Sequence, residues 1–131
     1  KPMHGKKLSD EICKHHIYVT GSINEPGGNH QHEGALCGLP LLYIKSGAFP
    51  EQCKGFGVEF KFKNFEKSLL EIIKSYTKYY RKMKFYPFTS DRMINNYEKL
   101  FKELVTNREK ILSKRKNKMN WFNNLRFLIT P

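Results

Sequence analysis

Two glutamates separated by seven residues, Glu25 and Glu33, flank a turn that contains Gly27 and Gly28. Because glycine has no Cβ, the backbone of such a turn can adopt positive φ and approach a phosphate closely. If a helix starts after the turn, its first amide groups are unpaired and favour an anion. The carboxylates can accept hydrogen bonds from sugar hydroxyls. These residue types and their spacing predict a site for a diphosphate with attached sugars.

The segments around this turn predict how the two acids are positioned. Residues 17–22 are typical of a strand, and the apolar run Leu41–Ile44 predicts a second, buried parallel strand. A strand, turn, helix and strand in this order place the turn at the carboxyl ends of the strands, where open α/β sheets bind ligands. Ser46 and Gly47 follow the second strand and are expected at the same edge. The alternative for Glu25 is structural, since a carboxylate near a helix start gains about 0.3 to 1 kcal/mol without any ligand.

The segment from Glu25 to Leu41 resembles the donor-site signature of retaining, nucleotide-sugar-dependent glycosyltransferases of the GT-B fold. In that family two glutamates separated by seven residues precede a small-residue helix, a Cys-Gly-Leu-Pro-like stop and an apolar strand. Here residues 34–40 read Gly-Ala-Leu-Cys-Gly-Leu-Pro. Pro26-Gly27-Gly28 stands where many members have Gly-aromatic-Gly. The resemblance covers about residues 5–62.

The resemblance implies specific roles for these residues. Glu25 would be the catalytic-site acid against the transferred sugar, and Glu33 would hold the ribose hydroxyls of the nucleotide. The implied donor-binding residues are Gly27, Gly28, Asn29, His30, Glu33, Ser46 and Gly47. The donor would be a nucleotide-diphosphate sugar, with no cofactor and no metal, and the acceptor is unknown. Positioned amides and cations would stabilise the departing diphosphate.

A complete enzyme of that family has two Rossmann-like halves with the catalytic cleft between them. With 131 residues, this chain fits one domain under the usual prior of roughly 100 to 200 residues per domain. Because it starts with Lys1, the chain is expected to begin within a domain, without the acceptor-binding half. We therefore expect the fragment to be inactive alone.

The predicted fold class is α/β, a partial Rossmann-like half of a GT-B fold with a short parallel sheet and flanking helices, followed by C-terminal helices. Residues 1–63 would form the donor-binding unit, residues 64–106 amphipathic helices, and residues 107–131 a basic and aromatic tail. Residues 55–62 predict a half-exposed edge strand, and Glu51 and Ser90 are expected helix caps. Apolar residues at helical spacing predict two core-facing stripes: Phe65, Leu69, Ile72, Ile73, Tyr76 and Tyr80, then Met93, Tyr97, Leu100, Phe101, Leu104 and Val105.

Charge leaves two other functions open. The chain has 24 basic and 12 acidic residues, a net charge of +12, and most of the excess lies after Phe65. A positive field attracts nucleic acid, phosphates and anionic lipid alike, so a nucleic-acid-binding module is the main alternative, although a nucleic-acid partner is not favoured. A non-catalytic nucleotide-binding remnant is another. The basic and aromatic tail fits either peripheral contact with an anionic membrane surface or, as favoured here, packing on the absent half.

Cysteine and histidine usage adds two expectations. Three cysteines without a CxxC pair indicate a reducing compartment, and hence a cytoplasmic protein, with membrane association at the cytoplasmic face as the variant. His30 and His32 are two residues apart and would lie on different helix faces, so no metal site is predicted. No run approaches the ~18 apolar residues of a membrane span.

Overall fold

The structure is a computed structural model and describes residues 1–114 of the chain. The helices are α1 (Lys6–Ile12), α2 (His30–Leu36), α3 (Phe49–Cys53), α4 (Phe65–Lys74), α5 (Tyr76–Met83), α6 (Ser90–Thr106) and α7 (Arg108–Lys114). The strands are β1 (Tyr18–Thr20), β2 (Leu41–Ile44) and β3 (Gly57–Phe60). The chain divides between Arg92 and Met93 into two compact units, and the sheet belongs to the first.

The three strands form a parallel sheet in the order β1-β2-β3. Tyr18 pairs with Leu41, and Leu41 pairs in turn with Gly57. All four residues of β2 are buried, as a central parallel strand covered on both faces requires. β3 lies at an edge and alternates between covered and exposed residues. The prediction of a mixed α/β fold with a short parallel sheet and flanking helices is confirmed, and it is consistent with a Rossmann-like half.

Helix α2, which carries part of the predicted site, ends at a left-handed glycine with two backbone hydrogen bonds. Gly38 has φ of 88°, a conformation that glycine adopts without strain. Its amide donates to the carbonyl of Ala35, and the amide of Leu39 donates to the carbonyl of Gly34. This pair of bonds is the Schellman motif, which satisfies the last carbonyl groups of α2. The chain then passes through Pro40 directly into β2.

The core of the first unit lies around β2. Leu42, Phe49, Cys53 and Ile72 are fully buried there, and they come from β2, α3 and α4. Burying an apolar side chain of this size contributes about 1.5 to 3 kcal/mol. Phe49 and Cys53 therefore hold α3 to the sheet and Ile72 holds α4, and the loops that precede these helices lie at the carboxyl edge of the strands.

Several sequence predictions about helices were wrong in detail. The first stripe was expected on one helix, but the structure has a break at Ser75 between α4 and α5. Ile72 is buried, whereas Ile73 is 52% exposed, because the two residues point to different sides of α4. Glu51 lies within the first turn of α3 and makes no cap hydrogen bond. Thr89, rather than Ser90, accepts the amide of Arg92 at 3.2 Å and caps α6.

The second predicted stripe, on α6, is exposed in the structure and buries none of its side chains. Within this helix, the rings of Tyr97 and Phe101 stack at 5.9 Å. Within the predicted basic and aromatic tail of residues 107–131, Arg108–Lys114 form α7, and the part from Arg115 onward lies outside the described residues. Among the helices of residues 1–114, none has the length and apolar character to cross a membrane.

Candidate functional site at the carboxyl edge of the sheet

The loops after β1 and β2 are joined by backbone contacts. The amide of Asn24 donates to Oγ of Ser46 at 2.8 Å, and the amide of Ala48 donates to the carbonyl of Glu25 at 3.0 Å. Asn24 has φ of 57°, a left-handed conformation that asparagine tolerates better than most residues. Gly47 also has positive φ, at 54°. These contacts fix the backbone of Glu25 on the loop that follows the central strand.

Gly47 is required by close packing as well as by its backbone angle. A Cβ built on Gly47 would lie 2.8 Å from both the carbonyl carbon and the nitrogen of Glu25, and closer still to its carbonyl oxygen. Contacts under about 3 Å do not occur for real side chains, so any larger residue would displace Glu25. Ser46 and Gly47 thus lie at the predicted edge, and in the structure both contact the protein segment that presents Glu25.

The carboxyl group of Glu25 faces the glycine turn. Gly27 donates its amide to Oε1 of Glu25 at 3.5 Å, and the glutamate is half-buried. A Cβ on Gly28 would lie 3.1 Å from Cδ of Glu25 and 2.9 Å from both Cδ2 and Nε2 of His30. The absence of a side chain at Gly28 therefore lets the carboxyl group and the imidazole approach the turn together. A Cβ on Gly27 would meet no atom within 4 Å among the described residues.

His30 is held from two sides by aromatic residues. Its Nδ1 lies 2.8 Å from the hydroxyl of Tyr18, and the two rings stack with centroids 5.9 Å apart. Phe49 meets the imidazole edge-on, also at 5.9 Å. The Tyr18 ring runs along α2 above Gly34, where a Cβ would lie 2.5 Å from Cδ2 of the tyrosine. Gly34 therefore provides the space that Tyr18 needs to reach His30.

Glu33 is exposed on the first turn of α2 and lies near the same tyrosine. Burial raises the pKa of the Tyr18 hydroxyl, and the negative charge of Glu33 raises it further. Glu25 lies beside the His30 ring at Gly28. Glu25 is therefore close to His30, and the charge of Glu33 acts on Tyr18, the hydrogen-bonded partner of His30.

The other histidine of α2 belongs to a separate cluster. Nδ1 of His32 lies 2.7 Å from the hydroxyl of Tyr86, and its ring packs 5.4 Å from that of Phe88. Burial lowers the pKa of His32, and the neighbouring His30 lowers it further. The two histidines point to different sides of the helix, as their spacing predicted. Residues 1–114 contain no group of three or more side chains placed to hold a metal ion.

Between these two histidines, Gln31 is fully buried and connects α2 to α3. Its Nε2 donates to Oε1 of Gln52 at 2.5 Å, while its own Oε1 has no partner within the described part of the chain. A buried carbonyl oxygen without a partner is uncommon in proteins. The hydrogen bond between Gln31 and Gln52 joins α2, which carries His30, to α3, which carries Phe49.

Sequence reasoning identified Glu25, Glu33 and His30 but missed Tyr18 and Asn24. The sequence pattern predicts Tyr18 only as part of a strand, and the one signal that could reveal its contact is Gly34, a glycine inside α2 on which a large side chain can pack. Nothing in the sequence marked Asn24 as left-handed. Asn29, which is expected as a donor-binding residue, is the residue before α2 and is exposed, without a side-chain hydrogen bond to the helix.

A concave region of the described residues lies away from these loops. An open groove of about 490 Å³ is lined by Glu66, Lys67, Leu70, Glu71, Lys74 and Ser75 of α4 and the residue after it. Its charges alternate in sign and are solvated, and the groove is shallow. Its volume therefore does not indicate a ligand site of the kind predicted at the glycine turn.

Comparisons with protein-family models, with curated proteins and with solved structures found no match to this chain.

Proposed function

We propose that the chain binds a nucleotide-diphosphate sugar and is the donor-binding part of a glycosyltransferase. One observation carries the proposal: Glu25 and His30 meet at Gly28 on the loop after β1, at the carboxyl edge of a parallel sheet, and Glu33 lies on the first turn of the helix that follows. That edge is where open α/β sheets bind nucleotides. The resemblance of residues 25–41 to the donor signature of GT-B glycosyltransferases supports the same function.

In this proposal the two acids contact opposite ends of the donor. Glu33 is exposed and accepts hydrogen bonds from the ribose hydroxyls, while the half-buried Glu25 faces the transferred sugar. The backbone of Gly27 and Gly28 lines the diphosphate, with the amide of Gly28 as the donor, because the amide of Gly27 donates to Oε1 of Glu25. The reaction is metal-independent, because fixed amide dipoles stabilise the charge that develops on the leaving diphosphate.

The acceptor site would come from a second α/β half. The described residues contain a single three-stranded sheet, and a cleft between two halves needs another. We propose that the partner half belongs to the full protein and that this chain alone binds donor without transferring the sugar.

A specific surface favours nucleic-acid binding as the second candidate. Helix α5 and the residue that follows it carry Lys78, Arg81, Lys82 and Lys84 and no acid. On the same helix, Tyr76 and Tyr80 stack at 5.7 Å. Basic residues beside aromatic rings suit a phosphate backbone with stacked bases, and such binding weakens steeply as salt increases.

The test is calorimetric titration of the chain with uridine and guanosine diphosphate. We expect saturable binding of one of them, reduced roughly tenfold to hundredfold in Glu33→Ala, because a hydrogen bond to a charged group is worth about 1.5 to 3 kcal/mol. Glu66→Ala is the matched control, since Glu66 is also an exposed acid in the first turn of a helix.

Two results would contradict the proposal. One is the absence of binding to either diphosphate, together with salt-sensitive binding to unrelated DNA and RNA, which would favour the nucleic-acid candidate. The other is an equal loss of affinity in Glu33→Ala and Glu66→Ala, which would mean that only net charge matters. If the diphosphate binds but the full protein transfers no sugar, the chain belongs to a non-catalytic nucleotide-binding protein.

A further inference from the structure

The Tyr18–His30 pair leaves one imidazole nitrogen without a protein partner. Nδ1 of His30 is bound to the tyrosine hydroxyl at 2.8 Å. Nε2 has no hydrogen-bond partner among residues 1–114 and lies next to Gly28, on the same side as the carboxyl group of Glu25. The nitrogen with an unused hydrogen-bonding position therefore faces the turn where the diphosphate is proposed to bind.

The surroundings determine which nitrogen carries the proton. A neutral imidazole has one donor and one acceptor nitrogen, and its hydrogen-bond partners select between the two forms. The hydroxyl of Tyr18 is the only partner of Nδ1 in the described residues, and a protonated phenol can donate to it. The carboxylate of Glu25 near the other edge of the ring attracts a proton onto Nε2. Both effects favour the form with the proton on Nε2.

The ring also has little freedom to turn over. Tyr18 stacks on one face and Phe49 meets it edge-on, so a rotated imidazole would lose the hydrogen bond to Tyr18 and point Nδ1 at the glycine turn. Gly34 lets the Tyr18 ring pack closely on α2, since a Cβ there would clash with the ring. The arrangement is built before any ligand arrives, which is what an effective hydrogen-bond donor to a developing charge needs.

We propose that Tyr18 is a positioning residue: it holds His30 with the proton on Nε2, and this N–H donates to a phosphate oxygen of the bound nucleoside diphosphate. The inference rests on the proposed function and goes beyond it by assigning a role to Tyr18, a residue that contacts no substrate. The donor to the phosphate is then an imidazole N–H that lies beside the carboxyl group of Glu25.

The first experiment needs no ligand. Long-range ¹H–¹⁵N spectra of the histidine side chains report which ring nitrogen is protonated, and we expect His30 of the unmodified chain to carry its proton on Nε2 alone at neutral pH. In Tyr18→Phe, which keeps the ring and removes only the hydroxyl, the signal should become that of a mixture of both forms. A proton on Nδ1 in the unmodified chain would overturn the proposal.

The chain contains its own matched control. Nδ1 of His32 is bound to the hydroxyl of Tyr86, so Tyr86→Phe removes the same bond from the other histidine of α2. This variant should change the signals of His32 and leave those of His30 as they are. If both variants alter His30 equally, the effect comes from a general loosening of α2, and Tyr18 has no specific role.

The second experiment measures affinity for uridine diphosphate, guanosine diphosphate and the corresponding nucleosides. Tyr18→Phe should weaken diphosphate binding roughly twofold to tenfold, the effect of about one neutral hydrogen bond, and leave nucleoside binding unchanged. Tyr86→Phe should bind the diphosphate as the unmodified chain does. Unchanged diphosphate affinity in Tyr18→Phe would overturn the role of Tyr18 and leave the proposed function standing. Failure of the unmodified chain to bind either diphosphate would overturn the proposed function, and the phosphate contact with it.

Discussion

Replacing Gly47 by alanine tests whether the loop after β2 holds Glu25 in position. Gly47 has φ of 54°, and its missing Cβ leaves room for the backbone of Glu25. Gly55 is the matched control: its φ is 89°, and a Cβ there would meet no atom within 4 Å. Both substitutions impose a left-handed alanine, and only the one at position 47 displaces Glu25.

The expected magnitudes follow from this difference. A left-handed alanine costs roughly 1 to 2 kcal/mol, and this is the whole expected loss in the free energy of unfolding for Gly55→Ala. Gly47→Ala also breaks the hydrogen bond from Ala48 to the carbonyl of Glu25, which adds about 0.5 to 1.5 kcal/mol. We therefore expect Gly47→Ala to be more destabilising than Gly55→Ala by about 1 kcal/mol. Because Glu25 moves, Gly47→Ala should also weaken binding of the nucleoside diphosphate, whereas Gly55→Ala should not.

Urea unfolding followed by far-ultraviolet circular dichroism gives the two free energies, and calorimetry on the folded variants gives the affinities. Equal destabilisation by the two substitutions, with equal affinity for the ligand, would refute the reasoning, because it would show that the backbone of Glu25 does not depend on this loop. A loss of affinity in Gly55→Ala as large as in Gly47→Ala would show that the effect is transmitted by general destabilisation.

Two further predictions concern stability. Ile72→Ala should lower the free energy of unfolding by about 2 to 5 kcal/mol because Ile72 is fully buried. Ile73→Ala, at a position that is 52% exposed, should lower it by less than about 1 kcal/mol. Urea unfolding of both variants checks this, and similar losses would contradict the assignment of the α4 faces. The lowered pKa of His32 means that its charged form is disfavoured in the folded state, so its contribution to stability is complete above the usual histidine pKa of about 6.5 and is lost as the pH falls through the lower folded value. Melting temperatures measured from pH 8 to pH 5 should therefore fall less steeply in His32→Gln than in the unmodified chain, and parallel curves would exclude His32 as the cause.

Much of the first unit could be predicted because local sequence determines it. The apolar run Leu41–Ile44 has the composition of a buried parallel strand, and β2 has these bounds in the structure. Gly38 ends α2 because its φ of 88° suits glycine, and Pro40 cannot continue a helix. The alternation of apolar and charged residues in β3 likewise predicted that this strand lies at the edge of the sheet. In each case the pattern reflects the environment of a single element.

The acidic residues of the candidate site could be predicted from the sequence, whereas the residues that position the site could not. Glu25, Gly28 and Glu33 have a recognisable spacing along the chain. Tyr18 and Asn24 are distant from their partners in sequence: the tyrosine contacts His30 twelve residues later, and Asn24 bonds Ser46 twenty-two residues later. Their roles depend on the register of β1 against β2, which a single strand of three residues does not specify.

By itself, the sequence determined the three strands of the first unit and the glycine turn between two glutamates, because propensity, turn chemistry and apolar periodicity act over a few residues. Only the tertiary structure decided that Gly47 packs on the backbone of Glu25, that Gly34 makes room for Tyr18, and that the tyrosine hydroxyl meets His30. These contacts join separate elements, and their geometry exists only once the parallel strands have paired and the helices have packed on them.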